Sequence, residues 1–360
     1  ANIFKVIKNK LNQLFFYSYG NSHCLKAPNQ VYYNNHGYRW VKITCEAEFS
    51  PRDGAGILYY NDFLWLIGGW NPLNRKKFPL KCNNEVWRSE DGRNWTLIKK
   101  NTFVNNSFDK KVDWEGRHCA GYVVFKDKMW IIGGDANQGH YQNDVWNSKD
   151  GKNWDLVTDS VPWGPRALHY TITFQNKIWI LGGQTVPHFA KAKERFYDDI
   201  WNSEDGLNWN KVDSKNEKWL ARGSINGRAI HNEKIWVIGG GTHETPGQSI
   251  KKNFNDVWSS KDGINWYCHT QQAGWATRCF HSVAAWDQKL WILDGSCVNQ
   301  VYGVGDTNEV WYSEDGENWT ELPNTPWKPR HASSVIATHR GLYVIAGHHM
   351  EQDVWRLEKV

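Results

Sequence analysis

The sequence predicts an all-β protein, a propeller of six four-stranded sheets (blades) around one axis. Three observations support this. A motif ending in Asp-Gly-x-Asn-Trp occurs five times, a segment ending in Gly-Gly or a close variant occurs six times, and successive copies lie roughly 55 residues apart. The 24 tryptophans among 360 residues exceed what an ordinary core needs, so we expect tryptophan to belong to the repeating plan.

Each unit contains two predicted hairpins. In residues 123–134, VVFKDKMWIIGG, apolar runs flank a polar turn, and the two glycines let the backbone turn away. In residues 309–322, EVWYSEDGENWTEL, two short β-rich runs flank Asp-Gly, a strong hairpin signal because both residues tolerate positive φ. Each unit therefore supplies four antiparallel strands, a to d. The motif aspartates are predicted turn formers: Asp91, Asp150, Asp205, Asp262 and Asp315.

The two ends of the chain predict how the ring closes. The last unit has strands a, b and c only, and residues 38–44 lie in register to supply its missing d strand, which would remove an open sheet edge. The predicted blades are 51–98, 115–157, 164–212, 221–269, 277–322, and 329–360 plus 38–44. Seven blades, with residues 1–44 as a degenerate blade, is the alternative.

The N-terminal extension favours six blades. Residues 3–15 place apolar side chains at helical spacing opposite lysines, which predicts a short amphipathic helix. The extension would span residues 1–35 and the single propeller domain residues 36–360.

The blade pattern resembles a known repeat. Gly-Gly after strand b, Asn/Asp-Asp/Glu-Val-Trp opening strand c, and a tryptophan on strand d are similar to kelch repeats, specifically those of bacterial kelch-like propellers of the galactose-oxidase central-domain type, over about residues 36–360. The resemblance implies the fold rather than an activity, because kelch propellers include enzymes, carbohydrate-processing proteins and interaction scaffolds. A sialic-acid mutarotase of this kind uses Glu and Arg, but no motif aligns, so no catalytic residue is carried over. No copper-radical motif like that of galactose oxidase is visible.

Composition excludes several classes of partner. Net charge is +5, but both signs are interspersed, which disfavours nucleic acid and leaves a mild preference for anionic small molecules. Seven cysteines without CxxC spacing signal neither a disulfide framework nor a zinc site, which is typical of a reducing compartment. No metal signature or cofactor motif is present, so we expect neither.

Membrane and secretion signals are also absent from the sequence. No apolar run approaches the ~20 residues of a membrane span. We therefore expect a cytoplasmic protein, with an exported form open if a signal peptide has been removed. Weak membrane-surface contact through residues 3–15 and the oligomeric state are left open.

The candidate site lies at the mouth of the channel. In a propeller, the d-to-a and b-to-c connections emerge on one face, so side chains there that differ between copies are functional candidates. The catalytic candidates are Glu244, His243, His118 and Asp135. The substrate-binding candidates are Arg52, Arg117, Arg228, Arg278, Arg330, Trp70, His140, His281, His331, His348 and Asn299.

The arginines have two interpretations. An arginine precedes strand a in every blade, where it could pack on the preceding aromatic residue and bridge blades, or it could grip a carboxylate or phosphate. Arg228 lies outside this repeat position, in a unit one residue longer than the others, and is the better ligand candidate.

These observations predict a sugar-processing propeller. The expected enzyme is a mutarotase, epimerase or lyase acting by acid/base chemistry on an acidic carbohydrate of cell-surface glycan synthesis. The alternative is a non-catalytic carbohydrate- or protein-binding scaffold. A deep pocket holding a carboxylate and an arginine would favour the enzyme, and a flat open face the scaffold.

Overall fold

The computed structural model describes residues 29–136, 140–185, 195–242, 252–299 and 303–360. These residues form β-strands and turns without a helix, which confirms the all-β prediction. Consequently, the described part of the chain holds no helix long and apolar enough to cross a bilayer. The amphipathic helix predicted for residues 3–15 lies outside the described residues.

The strands form six sheets, and the bounds of these sheets follow those of the predicted blades. Preceding the first blade are β1 (Gln30–Tyr33) and β2 (Tyr38–Thr44). Blade 1 contains β3 (Gly56–Tyr60), β4 (Phe63–Ile67), β5 (Val86–Ser89) and β6 (Thr96–Lys99), and blade 2 contains β7 (Gly121–Phe125), β8 (Lys128–Ile132), β9 (Val145–Ser148) and β10 (Asp155–Thr158). Blade 3 contains β11 (Tyr170–Phe174), β12 (Lys177–Thr185), β13 (Arg195–Ser203) and β14 (Asn210–Val212), and blade 4 contains β15 (Arg228–His231), β16 (Lys234–Gly241), β17 (Asn253–Ser260) and β18 (Trp266–Thr270).

The remaining strands complete the ring. After the short β19 (Arg278–Cys279), blade 5 contains β20 (Ser282–Trp286), β21 (Lys289–Leu293), β24 (Val310–Ser313) and β25 (Thr320–Leu322). The hairpin of β22 (Ser296–Asn299) and β23 (Gly303–Asp306) pairs through β19 with the sheet of blade 4. Blade 6 contains β26 (Ser334–Thr338), β27 (Gly341–Gly347) and β28 (Glu351–Lys359).

The N-terminal strand closes the propeller as predicted. Strand β2 pairs antiparallel with β28, with Trp40 opposite Leu357, and β1 adds a fifth strand outside it. Residues 30–44 therefore join the C-terminal sheet instead of forming a sheet of their own. The innermost strands contact one another in the closed order β3, β7, β11, β15, β20, β26 and back to β3.

The repeated Asp-Gly motif closes each c–d hairpin and packs it on the preceding blade. In blade 3, the Gly206 amide donates to the Ser203 hydroxyl at 2.7 Å, and Asp205 accepts from the two backbone amides that follow Gly206. Gly206 has a φ of +76°, and a Cβ there would lie 2.4 Å from the nearest atom of the Trp130 ring of blade 2. The motif aspartates are thus turn formers, as predicted.

One cysteine departs from the sequence-based expectation. Cys45 forms a disulfide, so the prediction that the cysteines signal no disulfide is wrong at this position. The spacing could not reveal the bond because a single bridge leaves no repeated pattern of cysteines in the sequence.

Candidate functional site

Every blade contains a buried arginine paired with a carboxylate at the start of strand c. In blade 4, Arg222 donates to the Gly239 carbonyl at 3.2 Å and to Asp256 at 2.9 Å, and the Trp258 indole donates to the same carboxylate at 2.9 Å. The six pairs are Arg52–Glu85, Arg117–Asp144, Arg166–Asp199, Arg222–Asp256, Arg278–Glu309 and Arg330–Asp353.

The backbone of these arginines also joins neighbouring blades. The Gly69 amide of blade 1 donates to the Arg117 carbonyl of blade 2 at 2.8 Å, and the Gly347 amide of blade 6 donates to the Arg52 carbonyl of blade 1 at 3.0 Å. The predicted substrate-binding residues Arg52, Arg117, Arg278 and Arg330 thus occupy buried structural pairs. This arrangement matches the blade-bridging interpretation.

Trp70, His118 and Asp135 meet at the channel mouth. The Trp70 and His118 rings are stacked with centroids 5.9 Å apart, and His118 Nδ1 lies 2.8 Å from the Asp135 carbonyl oxygen. Because a carbonyl only accepts, Nδ1 carries a hydrogen and donates it to Asp135. The mouth therefore presents an aromatic surface beside an imidazole ring.

Two further candidates, His331 and His348, form a second cluster with Asp53. The rings of His331 and His348 are stacked with centroids 4.4 Å apart. His348 Nδ1 lies 3.2 Å from Asp53, and His331 Nδ1 lies 2.9 Å from Asp306. A backbone bridge links Asp53 to Trp70, so the two clusters share one side of the mouth.

Arg228 projects into a small cavity between the inner strands. Its Nε donates to the Thr171 carbonyl at 2.6 Å, and no carboxylate of the described residues pairs with it. Burial lowers the pKa of Arg228 to about 10, so the guanidinium stays charged at neutral pH. The cavity measures about 40 Å³, room for a few waters or a small anion and too little for a sugar ring.

A larger cleft opens between the connections of blades 1 and 2. It measures about 350 Å³. Its charged and aromatic lining residues are Arg75, Lys81, Phe103, Phe108, Glu115 and His140. Of these, only His140 is among the sequence-based candidates.

Side-chain amides fix the two long connections that form this cleft. The Asn71 amide donates to the Pro51 carbonyl at 2.7 Å, and its oxygen accepts from the Leu73 amide at 3.0 Å. Asn84 exchanges hydrogen bonds with the backbone and hydroxyl of Thr102 at 2.8 and 2.7 Å. Such bonds hold irregular backbone in one conformation, so the cleft is preformed.

The cleft contains a charged histidine–carboxylate pair. His140 Nε2 lies 3.2 Å from both Glu115 oxygens, and the Gln142 amide donates to Glu115 at 3.3 Å. Burial alone would raise the pKa of Glu115, but the hydrogen bond and charge of His140 outweigh it and lower that pKa to about 2. The hydrogen bond that His140 donates to Glu115 raises the pKa of His140. The pair thus favours an imidazolium beside a carboxylate, with Arg75 and Lys81 adding positive charge.

The other candidates do not join these clusters. His281 is fully buried, its Nε2 lies 2.8 Å from the Ile238 carbonyl, and burial lowers its pKa to about 3. Asn299 ends β22 and pairs with Gly303. Glu244 and His243 lie outside the described residues.

The sequence-based candidates missed most of the cleft because those in the d-to-a connections lie at or after the repeated arginines, whereas the cleft residues of the connection before blade 2 precede Arg117. The decisive segment is the d-to-a connection of residues 100–120, almost twice the length of the equivalent 159–169. It supplies Phe103, Phe108 and Glu115. Its length was the signal that could have revealed the cleft.

Comparison with known proteins adds no assignment. The chain matches no model of a protein family, and a search of curated proteins finds no similar sequence. The function is therefore argued from the site.

Proposed function

We propose that the protein binds an acidic carbohydrate in the cleft between blades 1 and 2 and processes it by acid/base chemistry, as a mutarotase, epimerase or lyase. One observation supports this most strongly. A preformed cleft combines two cationic side chains, two aromatic rings and a charged His140–Glu115 pair. The resemblance of the blades to kelch repeats, which include carbohydrate-processing proteins, supports the same class.

The dimensions and charge of the cleft fit a monosaccharide. Its volume of about 350 Å³ lies in the usual range for small-molecule sites. Arg75 and Lys81 supply donors for a sugar carboxylate. Phe103 and Phe108, in edge contact with centroids 5.1 Å apart, supply apolar surface for C–H faces.

The His140–Glu115 pair can move protons without a cofactor. In mutarotation, His140 would donate a proton to the ring oxygen as the C1–O bond breaks, while the Glu115 carboxylate takes the proton of the anomeric hydroxyl. When the sugar ring closes again on the other face of the C1 carbonyl, both protons are returned, so atoms and charge balance. Glu115 stabilises the imidazolium before transfer and orients its ring. Once His140 has lost its proton, its imidazole could instead remove a proton α to a carboxylate, as an epimerase or lyase requires.

The second candidate function is protein binding without turnover, and exposed apolar residues around the cleft favour it. Leu73, Val104 and Val112 are 58%, 46% and 75% exposed on the two connections that form the cleft. Apolar side chains grouped on one surface are typical of interaction sites. A docked protein loop would cover them, whereas a monosaccharide would not.

The location proposed from sequence needs revision. Disulfides persist in oxidising compartments, so the bond at Cys45 supports the exported form. We propose this form over the cytoplasmic one. Thiol quantification on protein purified under alkylating conditions tests it, since a reduced Cys45 would favour the cytoplasm.

Binding and turnover are tested separately. Uronic and sialic acids are titrated against matched neutral sugars by saturation-transfer NMR, and anomer exchange and α-proton exchange are followed in the same samples. We expect binding of acids only, weakened at least tenfold in the Arg75→Gln/Lys81→Gln variant and retained in Arg340→Gln, which removes a surface charge in blade 6. His140→Gln should bind but not catalyse.

Three outcomes would decide against parts of this proposal. If no acidic sugar binds, or if the double variant binds as well as wild type, the carbohydrate site is rejected. If binding occurs and His140→Gln exchanges anomers at the wild-type rate, His140 is not the proton donor. If binding occurs without any exchange, the scaffold function replaces the enzyme.

A further inference from the structure

We propose that Asp53, His331 and His348 form a binding site for a divalent first-row transition ion at the channel mouth, independent of the carbohydrate cleft. One ligand atom from each residue lies within 4.8 Å of the other two. Metal–nitrogen and metal–oxygen bonds of about 2.0–2.2 Å in tetrahedral geometry place ligand atoms roughly 3.4 Å apart. His348 Nδ1 and Asp53 Oδ2 are already 3.2 Å apart, so only small side-chain rotations are required.

The backbone holds the three ligands together. The amide of Gly54, next to Asp53, donates to the Ala332 carbonyl, next to His331, at 3.1 Å. The His348 amide donates to the His331 carbonyl at 2.8 Å. Direct hydrogen bonds thus join three segments that are distant in sequence, and a site built on such a frame needs little reorganisation on binding.

Asp306 orients one of the ligands, His331, through a hydrogen bond to its ring. Both of its oxygens lie 2.9 Å from His331 Nδ1. An ionised carboxylate only accepts, so Nδ1 carries a hydrogen and Nε2 is the nitrogen available to bind a metal. Carboxylate support of this kind is the usual partner of a metal-binding histidine. It distinguishes this cluster from a simple histidine–aspartate ion pair.

The ligand atoms indicate the class of ion. Two imidazole nitrogens and one carboxylate suit Zn²⁺ and its first-row neighbours, whereas Ca²⁺ and Mg²⁺ prefer oxygen alone. Asp53 and Asp306 together balance a charge of +2. Three protein ligands leave a coordination position for water or a ligand oxygen, as in catalytic rather than structural sites.

The test uses the full chain without a polyhistidine tag. We expect one equivalent of Zn²⁺ by calorimetry, and a visible absorption band of tetrahedral type when Co²⁺ is added. Asp53→Asn and His348→Gln should abolish both signals, and Asp306→Asn should weaken Zn²⁺ binding about ten- to a hundredfold. His339→Gln, which changes an exposed histidine bonded to Tyr59, is the matched control and should bind as wild type.

The proposal fails if wild type binds no stoichiometric Zn²⁺, or if His348→Gln binds it as tightly as wild type. Circular dichroism checks folding, and His348 and Asp306 are the decisive positions should Asp53→Asn not fold. His140→Gln separates this site from the carbohydrate cleft, because it should leave Zn²⁺ affinity unchanged whatever its effect on sugar.

Discussion

Each buried arginine pair should contribute more to the free energy of unfolding when its carboxylate is less exposed to solvent. Arg222 is 0% exposed and its partner Asp256 is 9% exposed, whereas Glu309, the partner of Arg278, is 38% exposed. Asp256→Asn leaves the Arg222 guanidinium buried without a negatively charged partner, with only neutral acceptors around it. Breaking a buried pair from one side costs about 3–5 kcal/mol. Glu309→Gln, at a partly solvated position, should cost about 1 kcal/mol or less.

Urea unfolding followed by tryptophan fluorescence measures this difference. We expect the midpoint of Asp256→Asn to fall several times further than that of Glu309→Gln, with similar m-values. The double variant Arg222→Met/Asp256→Leu should be more stable than Asp256→Asn, because it leaves no uncompensated charge. Equal costs for the two single variants, or a double variant less stable than Asp256→Asn, would refute the reasoning.

Gly206→Ala should be less stable than Gly164→Ala by about 1–3 kcal/mol in urea unfolding. Both glycines have positive φ, but only the Cβ added at Gly206 would contact a tryptophan ring. Equal losses of stability in the two variants would contradict this packing argument. The pKa of His140 is raised in the folded state, so its contribution to the free energy of unfolding should be complete below its unfolded pKa and lost as pH rises through the folded value. The pKa of Glu115 is lowered, so its contribution should be complete above its unfolded pKa and lost as pH falls to about 2. NMR titration of the His140 ring should give a lower pKa in Glu115→Gln, and an unchanged one would exclude the pairing. Burial raises the pKa of the Cys119 thiol well above its usual value, so iodoacetamide should label this thiol only after unfolding. Rapid labelling of the folded protein would show that the thiol is accessible to solvent.

The fold was predictable because its determinants are local and repeated. The Ser203, Asp205 and Gly206 contacts lie within one turn, so sequence alone indicates them. Closure by β2 was also predictable, since a missing strand at one end and a spare strand at the other leave one arrangement without an open edge.

The site was less predictable because its contacts join distant segments. His140 was a candidate, but its partner Glu115 comes from a different connection, and only the folded chain brings them to 3.2 Å. Conversely, Arg52 and Arg117 have the residue type of a ligand site, and only their burial and carboxylate partners show a structural role. Periodicity specifies the repeating frame and carries no information on which non-repeating side chains meet.

The pairing of β2 with β28 sets an order on biosynthesis. Strand β2 leaves the ribosome before the strands of blades 1 to 5, yet its partner β28 is made after them. Until β28 is made, the ring of blades stays open. Strand β2, which precedes blade 1, and the newest strand of the growing chain then each have an unpaired edge. Chaperones or rapid translation of the final blade would protect these edges from pairing with another chain. The same geometry places β2 beside β28, with Tyr38 opposite Lys359, so a circularly permuted gene that joins these two strands and opens the chain between two blades should still encode a closed ring.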